Sequence, residues 1–174
     1  LAFLAGTPLV LQACGDIPPD ASTFVKSEVV QHPQDFVHVD KANRVPSDAL
    51  KKAEAYFEAN KDRIPNQRYM AIIDYSQHSG KPRFYVINMQ SGAVEALYTA
   101  HGSGSDRDND GYAERFSNTE DSLMSSLGFM LTASTYSGSH GLSLKLDGLS
   151  STNSNVRERV ITIHSATYVD EGRA

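Results

Sequence analysis

The chain reads as a mainly β protein of the α+β class, an antiparallel β-sandwich or open barrel preceded by one amphipathic helix. Three observations predict this. From Arg68 onward apolar residues recur with a period of two, between turns rich in Gly and Ser. Just upstream, one stretch keeps helical spacing. The composition, with no Trp, 8 Tyr and abundant Ser, Thr and Gly, suits a turn-rich sheet.

The helix is announced by Pro46 and by Ser47, a good N-cap, with Asp48 in the first turn where the helix dipole favours an anion. Leu50, Ala53, Tyr56 and Phe57 follow at helical spacing, and Asn60 and Pro65 end the pattern. One face is expected to pack on the sheet. Tyr69–Tyr75 (YMAIIDY) is a near-continuous apolar strand, and Gln77–Pro82 is a turn. Arg83–Met89 (RFYVINM) returns, and Gln90-Ser91-Gly92 turns again into Ala93–Ala100, which makes an antiparallel meander. After a polar insertion at Gly102–Tyr112, strands are expected at Leu127–Tyr136, Leu142–Leu146 and Arg159–His164, with a Ser/Thr/Asn loop at Ser150–Asn155.

A length of 174 residues fits one domain with a proper core. A net charge of −5 without a basic cluster argues against nucleic acid or an anionic membrane surface as partner. No apolar run reaches the roughly 18 residues of a membrane span. Leu1–Ala13 is uncharged and mostly apolar, like the h-region of a secretory signal. Leu11-Gln12-Ala13-Cys14 then resembles a bacterial lipobox, with a small residue before the cysteine that would be lipidated; a buried free thiol is the other reading. The expected division is a partial leader at 1–13, an envelope tether at 14–44 with a short element at Thr23–Val30, and one domain at 45–174. The expected location is the bacterial cell envelope, on the periplasmic side, with a lipid anchor on Cys14.

Several constellations compete for chemistry. Asp106-Arg107-Asp108-Asn109-Asp110-Gly111 starts like a calcium loop, but position 12 is Ser117 rather than a bidentate acid. A solvated acidic turn is the simpler reading. His101, His140 and His164 lack the His-x-His or His-Glu-x-x-His spacing of envelope zinc hydrolases. Ser117, Ser125 and Ser126 lack a Gly-x-Ser-x-Gly elbow or Ser-x-x-Lys helix. No metal or organic cofactor is expected. The sharpest signal is His164 at the end of a strand, followed by Ser165 and Ala166. A histidine so placed looks like half of a nucleophile–base pair.

The order of motifs is specific. Ala100-His101-Gly102, Phe116–Thr119 and Ser125–Phe129 come first; Thr135–Leu149 (TYSGSHGLSLKLDGL), Arg157-Glu158-Arg159 and Ile163–Ala166 follow. This run resembles the murein L,D-transpeptidase catalytic domain family, a branch of the YkuD-like enzymes, over roughly Val45 to Ala174. The resemblance implies a YkuD-like fold and acyl transfer on peptidoglycan stem peptides, with a cysteine nucleophile from a Ser-x-Gly-Cys motif that follows the histidine. That motif is expected beyond Ala174, with Val169–Arg173 as the connecting loop, so the 174 residues alone are expected to be inactive. Ser139-His140-Gly141-Leu142 imitates the motif but has Leu for Cys and precedes His164. The resemblance implies His164 as the base, with the Ser165 carbonyl fixing its tautomer. His101, Tyr136, His140, Gly141 and Asp147 are candidates for lining the substrate groove, a hydrogen-bonding structural role being the alternative. Arg157 and Arg159 are either solvent-facing charges or partners for a stem carboxylate. The rival from another class is a non-catalytic envelope lipoprotein that binds peptidoglycan through the same groove.

Overall fold

In a computed structural model, the described residues are 36–169 together with the backbone of Val10–Cys14. Residues 1–9 of the expected leader, residues 15–35 of the expected tether (14–44) with its element at Thr23–Val30, and the end of the chain from Asp170 lie outside them. The elements are β1 (Val10–Cys14), α1 (Ser47–Ala59), β2 (Tyr69–Asp74), β3 (Phe84–Asn88), β4 (Val94–Leu97), β5 (Gly128–Gly138), β6 (Gly141–Gly148) and β7 (Thr162–His164).

The strands lie in the order β4-β3-β2-β1-β5-β6-β7. Two three-stranded antiparallel sheets, β2-β3-β4 and β5-β6-β7, flank β1. β1 runs parallel to β2, Val10 facing Met70, and antiparallel to β5, Val10 facing Leu131. The fold is thus mainly β with one preceding helix, as the periodicity predicts. Val10–Cys14 belongs to the stretch read from sequence as a leader and its lipobox cysteine, and here its backbone forms a ladder on both sides.

The apolar run of β2 reflects burial on both faces. Met70 and Ile72 join Tyr85, Ile87, Leu50, Ala53 and Phe57 in one core cluster beneath α1. Ala71 and the partly buried Ile73 point the other way, to Phe84, Met130, Leu146 and Val156. Tyr56 of α1 stacks on Phe129 with 3.8 Å between ring centroids, which fixes the helix over β5.

The helix starts one residue earlier than the sequence suggests. Pro46 is the N-cap at φ −53 and ψ 124, and no side chain caps the end. The Pro46 carbonyl accepts the Leu50 N–H at 3.0 Å. Proline has its φ preset and lacks the N–H that a helix start leaves orphaned, so Ser47 becomes the first helical residue.

β7 is shorter than the expected Arg159–His164. Val160 sits at φ 55, in the left-handed region, and this breaks the extended run ahead of it. The Ser150–Asn155 loop is a bracket rather than a slack connection. Ser150 and Asn153 form a reciprocal capping box. The fully buried Asn153 donates from Nδ2 to the Phe129 carbonyl at 2.8 Å.

Candidate active site

On the face opposite α1, a cavity of about 570 Å³ is walled by Ile73, Tyr75, Phe84, Met130, Leu146 and Ile163, with His101, Ser125, His164 and Ser165 among its polar lining. β7 brings His164 there. Ser143 of β6 faces His164 on one side and Tyr136 of β5 on the other, so these three side chains share one face of the sheet.

His164 Nδ1 lies 2.9 Å from the Ser165 carbonyl oxygen. A carbonyl only accepts, so Nδ1 carries the proton and Nε2 is left with its lone pair. This is the tautomer of a general base working through Nε2. The His140 ring stacks on the His164 ring, with centroids 4.4 Å apart and planes 18° from parallel.

His101 lines the deeper wall within a buried network. Arg83, with no solvent exposure, donates from Nη2 to His101 Nδ1 at 2.8 Å. The guanidinium cannot accept, so His101 holds its proton on Nε2, which lies 3.5 Å from Asp106 Oδ2. Burial first and the Arg83 charge second lower the His101 pKa, against opposing help from Asp106. His101 is therefore kept neutral, with a tautomer opposite to that of His164. Arg83 also donates to the carbonyls of Thr99 and Gln77 and lies over the Tyr75 ring, 5.3 Å from its centroid. Burial pushes the Tyr75 phenol up, with a Ser125 hydrogen bond and Arg83 opposing. Tyr75 and Arg83 escaped sequence reasoning; the only signal was an arginine opening an otherwise apolar strand.

The remaining candidates fall elsewhere. Tyr136, outside the cavity lining, carries Lys145 Nζ over its ring at 5.5 Å. Gly141, at φ +75, turns the β5–β6 hairpin. Asp147 accepts from Arg157 Nε at 2.7 Å and from Nη2 at 2.6 Å, an ion pair away from the cavity. Only the backbone of Cys14 is described, opposite Asp74 in the β1–β2 ladder.

Arg159 is a staple. Its Nη1 donates to the Ser117 carbonyl and, at 2.6 Å, to Ser126 Oγ. Its Nη2 donates to Ser122 Oγ at 2.9 Å and to the Met124 carbonyl at 2.7 Å. It thereby draws the loop carrying Met124, Ser125 and Ser126, part of the cavity wall, against the turn that leads into β7.

In the acidic turn, one ligand-type oxygen each from Asp106, Asp108 and Asp110 lies within 4.8 Å of the others. Asp106 is buried and accepts the backbone N–H of Asp110 at 3.1 Å and of Gly111 at 2.9 Å. Burial acts to raise its pKa, but these backbone donors and His101 outweigh it and hold the carboxyl below its usual range. Glu114 is raised, chiefly by the charge of Asp108. The turn is braced by its own main chain.

No curated protein and no solved structure matches the chain. Over residues 41–174 it matches the family model of the L,D-transpeptidase catalytic domain. That span takes in the meander, the Arg83–His101–Asp106 network and the β7 histidine, and the chain belongs to the L,D-transpeptidase catalytic domain family.

Proposed function

We propose that this domain performs acyl transfer on peptidoglycan stem peptides by a Cys–His mechanism, with His164 as the base. The family implies peptidoglycan as substrate and the cell wall as the place of action. The observation that carries the finer reading is the 2.9 Å contact from His164 Nδ1 to the Ser165 carbonyl, which leaves Nε2 free to take a proton. The thiol would come from a cysteine that follows the histidine in the full reading frame, as in the enzymes this chain resembles.

The chemistry follows in balanced steps. His164 Nε2 takes the thiol proton, and the thiolate attacks the carbonyl joining the third stem residue to a terminal D-alanine. The tetrahedral oxyanion is held by backbone N–H groups about the cysteine. It collapses as the C–N bond breaks, and the imidazolium returns its proton to the departing amine. An amine from a neighbouring stem, or water, then resolves the thioester. The Ser165 carbonyl plays the orienting part that a carboxylate plays in a Ser-His-Asp triad.

The test is incubation of the full-length protein with a carbapenem, followed by intact mass spectrometry. A covalent adduct lost on His164→Ala is the expected result. A folded, cysteine-containing protein that forms no adduct refutes transpeptidation and leaves peptidoglycan binding as the function of the cavity. Lipid anchoring through Cys14 is a separate proposal. Cleavage before Cys14 would take Val10–Ala13 out of the sheet, leaving β2 and β5 without the strand between them. The mass of the mature N-terminal peptide decides it: an acylated Cys14 supports the anchor, and an intact Leu1–Ala13 excludes it.

A further inference from the structure

We infer that His140 is a positioning residue for the His164 base, holding the imidazole by ring stacking so that Nε2 stays aimed at the reacting thiol. The inference rests on the acyl-transfer reading, and it starts from a weakness in the orientation of the base. His164 Nδ1 has its hydrogen bond to the Ser165 carbonyl in an exposed setting. Water competes for both partners there, so one such bond is a modest restraint. A 180° rotation of the ring about its Cβ–Cγ bond would exchange Nδ1 with Cδ2 and Nε2 with Cε1, breaking this bond and presenting a C–H to the thiol in place of the lone pair.

The second restraint is the His140 ring, nearly parallel at 18° and 4.4 Å away. A flat neighbour at this distance resists rotation of the ring out of its plane while leaving the Nε2 edge open. The backbone explains how it gets there. Gly138 pairs with Gly141, so Ser139 and His140 are the two residues of a tight hairpin between β5 and β6. Gly141 takes φ +75, a conformation that costs other residues strain. β6 is the arm of this hairpin that pairs with β7, with Ser143 opposite His164, so the turn can fold its imidazole over β7. The stack is not a metal site: the rings lie face to face, and lone pairs in two parallel planes do not converge on one ion.

The experiment uses the full-length protein with His140→Ala and His140→Phe. Phenylalanine keeps a flat ring and removes the titrating nitrogens. Nitrogen-15 spectra of the His164 imidazole report its tautomer, and mass spectrometry reports the rate of carbapenem adduct formation. In His140→Ala, the Nδ1–H form of His164 is expected to lose its dominance. Adduct formation should slow by about two- to tenfold, the range a lost aromatic stack implies. His140→Phe should restore both. The inference is overturned if His140→Ala leaves the His164 spectra at the wild-type value, if it leaves the adduct rate unchanged where the wild type reacts, or if a folded His140→Phe behaves like His140→Ala. If no variant nor the wild type forms an adduct while the spectra respond as expected, the acyl-transfer reading falls and the stack stands as a determinant of the tautomer. If adducts form at one rate in all three with unchanged spectra, the stack falls and acyl transfer stands.

Discussion

Arg157 and Arg159 are two residues apart, alike in sequence and opposite in consequence. Arg157 meets Asp147 at the surface, the two side chains being 37% and 44% exposed. An ion pair of this kind contributes about 0.5 kcal/mol. Arg159 spans four acceptors, the carbonyls of Ser117 and Met124 and the hydroxyls of Ser122 and Ser126. Four charge-assisted bonds would sum to about 6–12 kcal/mol at face value. Most of that is recovered on truncation. The Ser122 hydroxyl turns to water, and the Ser117 carbonyl keeps the buried Ser126 hydroxyl as donor at 2.9 Å. The buried Arg159 Nε has no partner among the described residues, so its removal returns some free energy. The Met124 carbonyl and the docking of the loop remain as the loss. Arg159→Ala should therefore cost about 2–3 kcal/mol, several times the cost of Arg157→Ala. Arg159→Lys, with one ammonium for four acceptors, should fall between. In urea titrations followed by circular dichroism, Arg159→Ala should lower the midpoint by about 1–1.5 M, for a slope near 2 kcal/mol per molar. Equal midpoints for Arg159→Ala and Arg157→Ala would refute the staple.

Three further outcomes follow from the geometry. His101 has a folded-state pKa below its ordinary value, so its contribution to stability is full above about pH 6.5 and is lost as pH falls toward the lowered value. Melting temperatures between pH 7.5 and pH 5.5 should drop less in His101→Gln than in the wild type, and equal drops would contradict the neutral, half-buried imidazole. Gly111→Ala places a Cβ in the His78 ring at φ +90 and should destabilise by at least about 1 kcal/mol in the same titrations. Gly92→Ala, at φ +74, drives a Cβ into the His38 carbonyl and should cost more than Gly111→Ala, because backbone yields less readily than the end of a side chain.

Period and turn chemistry made the meander legible. Met70 and Ile72 face one core and Ala71 and Ile73 the other, so a run apolar at every step had to be a strand buried on both sides. The bond of His164 to its own neighbour is local, and the order of motifs that pointed to it can be read along the chain without knowing any contact. What escaped the sequence is long-range. Nothing about Arg159 distinguishes it from Arg157 until the chain brings Ser117, 42 residues away, under its guanidinium. Arg83 reads as a polar strand start until burial and His101 give it a purpose. Val10–Cys14 is apolar apart from Gln12 and shows no regular alternation, and such a run suits an export signal and a doubly flanked strand equally well.

Val160 has a consequence for engineering. It is 69% exposed, so it gives little burial in return for its left-handed φ of 55. A β-branched residue carries roughly 1–2 kcal/mol of conformational energy in that region. Asparagine tolerates the same backbone far better, and Val160→Asn should make the domain sturdier by about 1 kcal/mol. The strain at Val160 thus sits four residues from the imidazole that the fold has to aim.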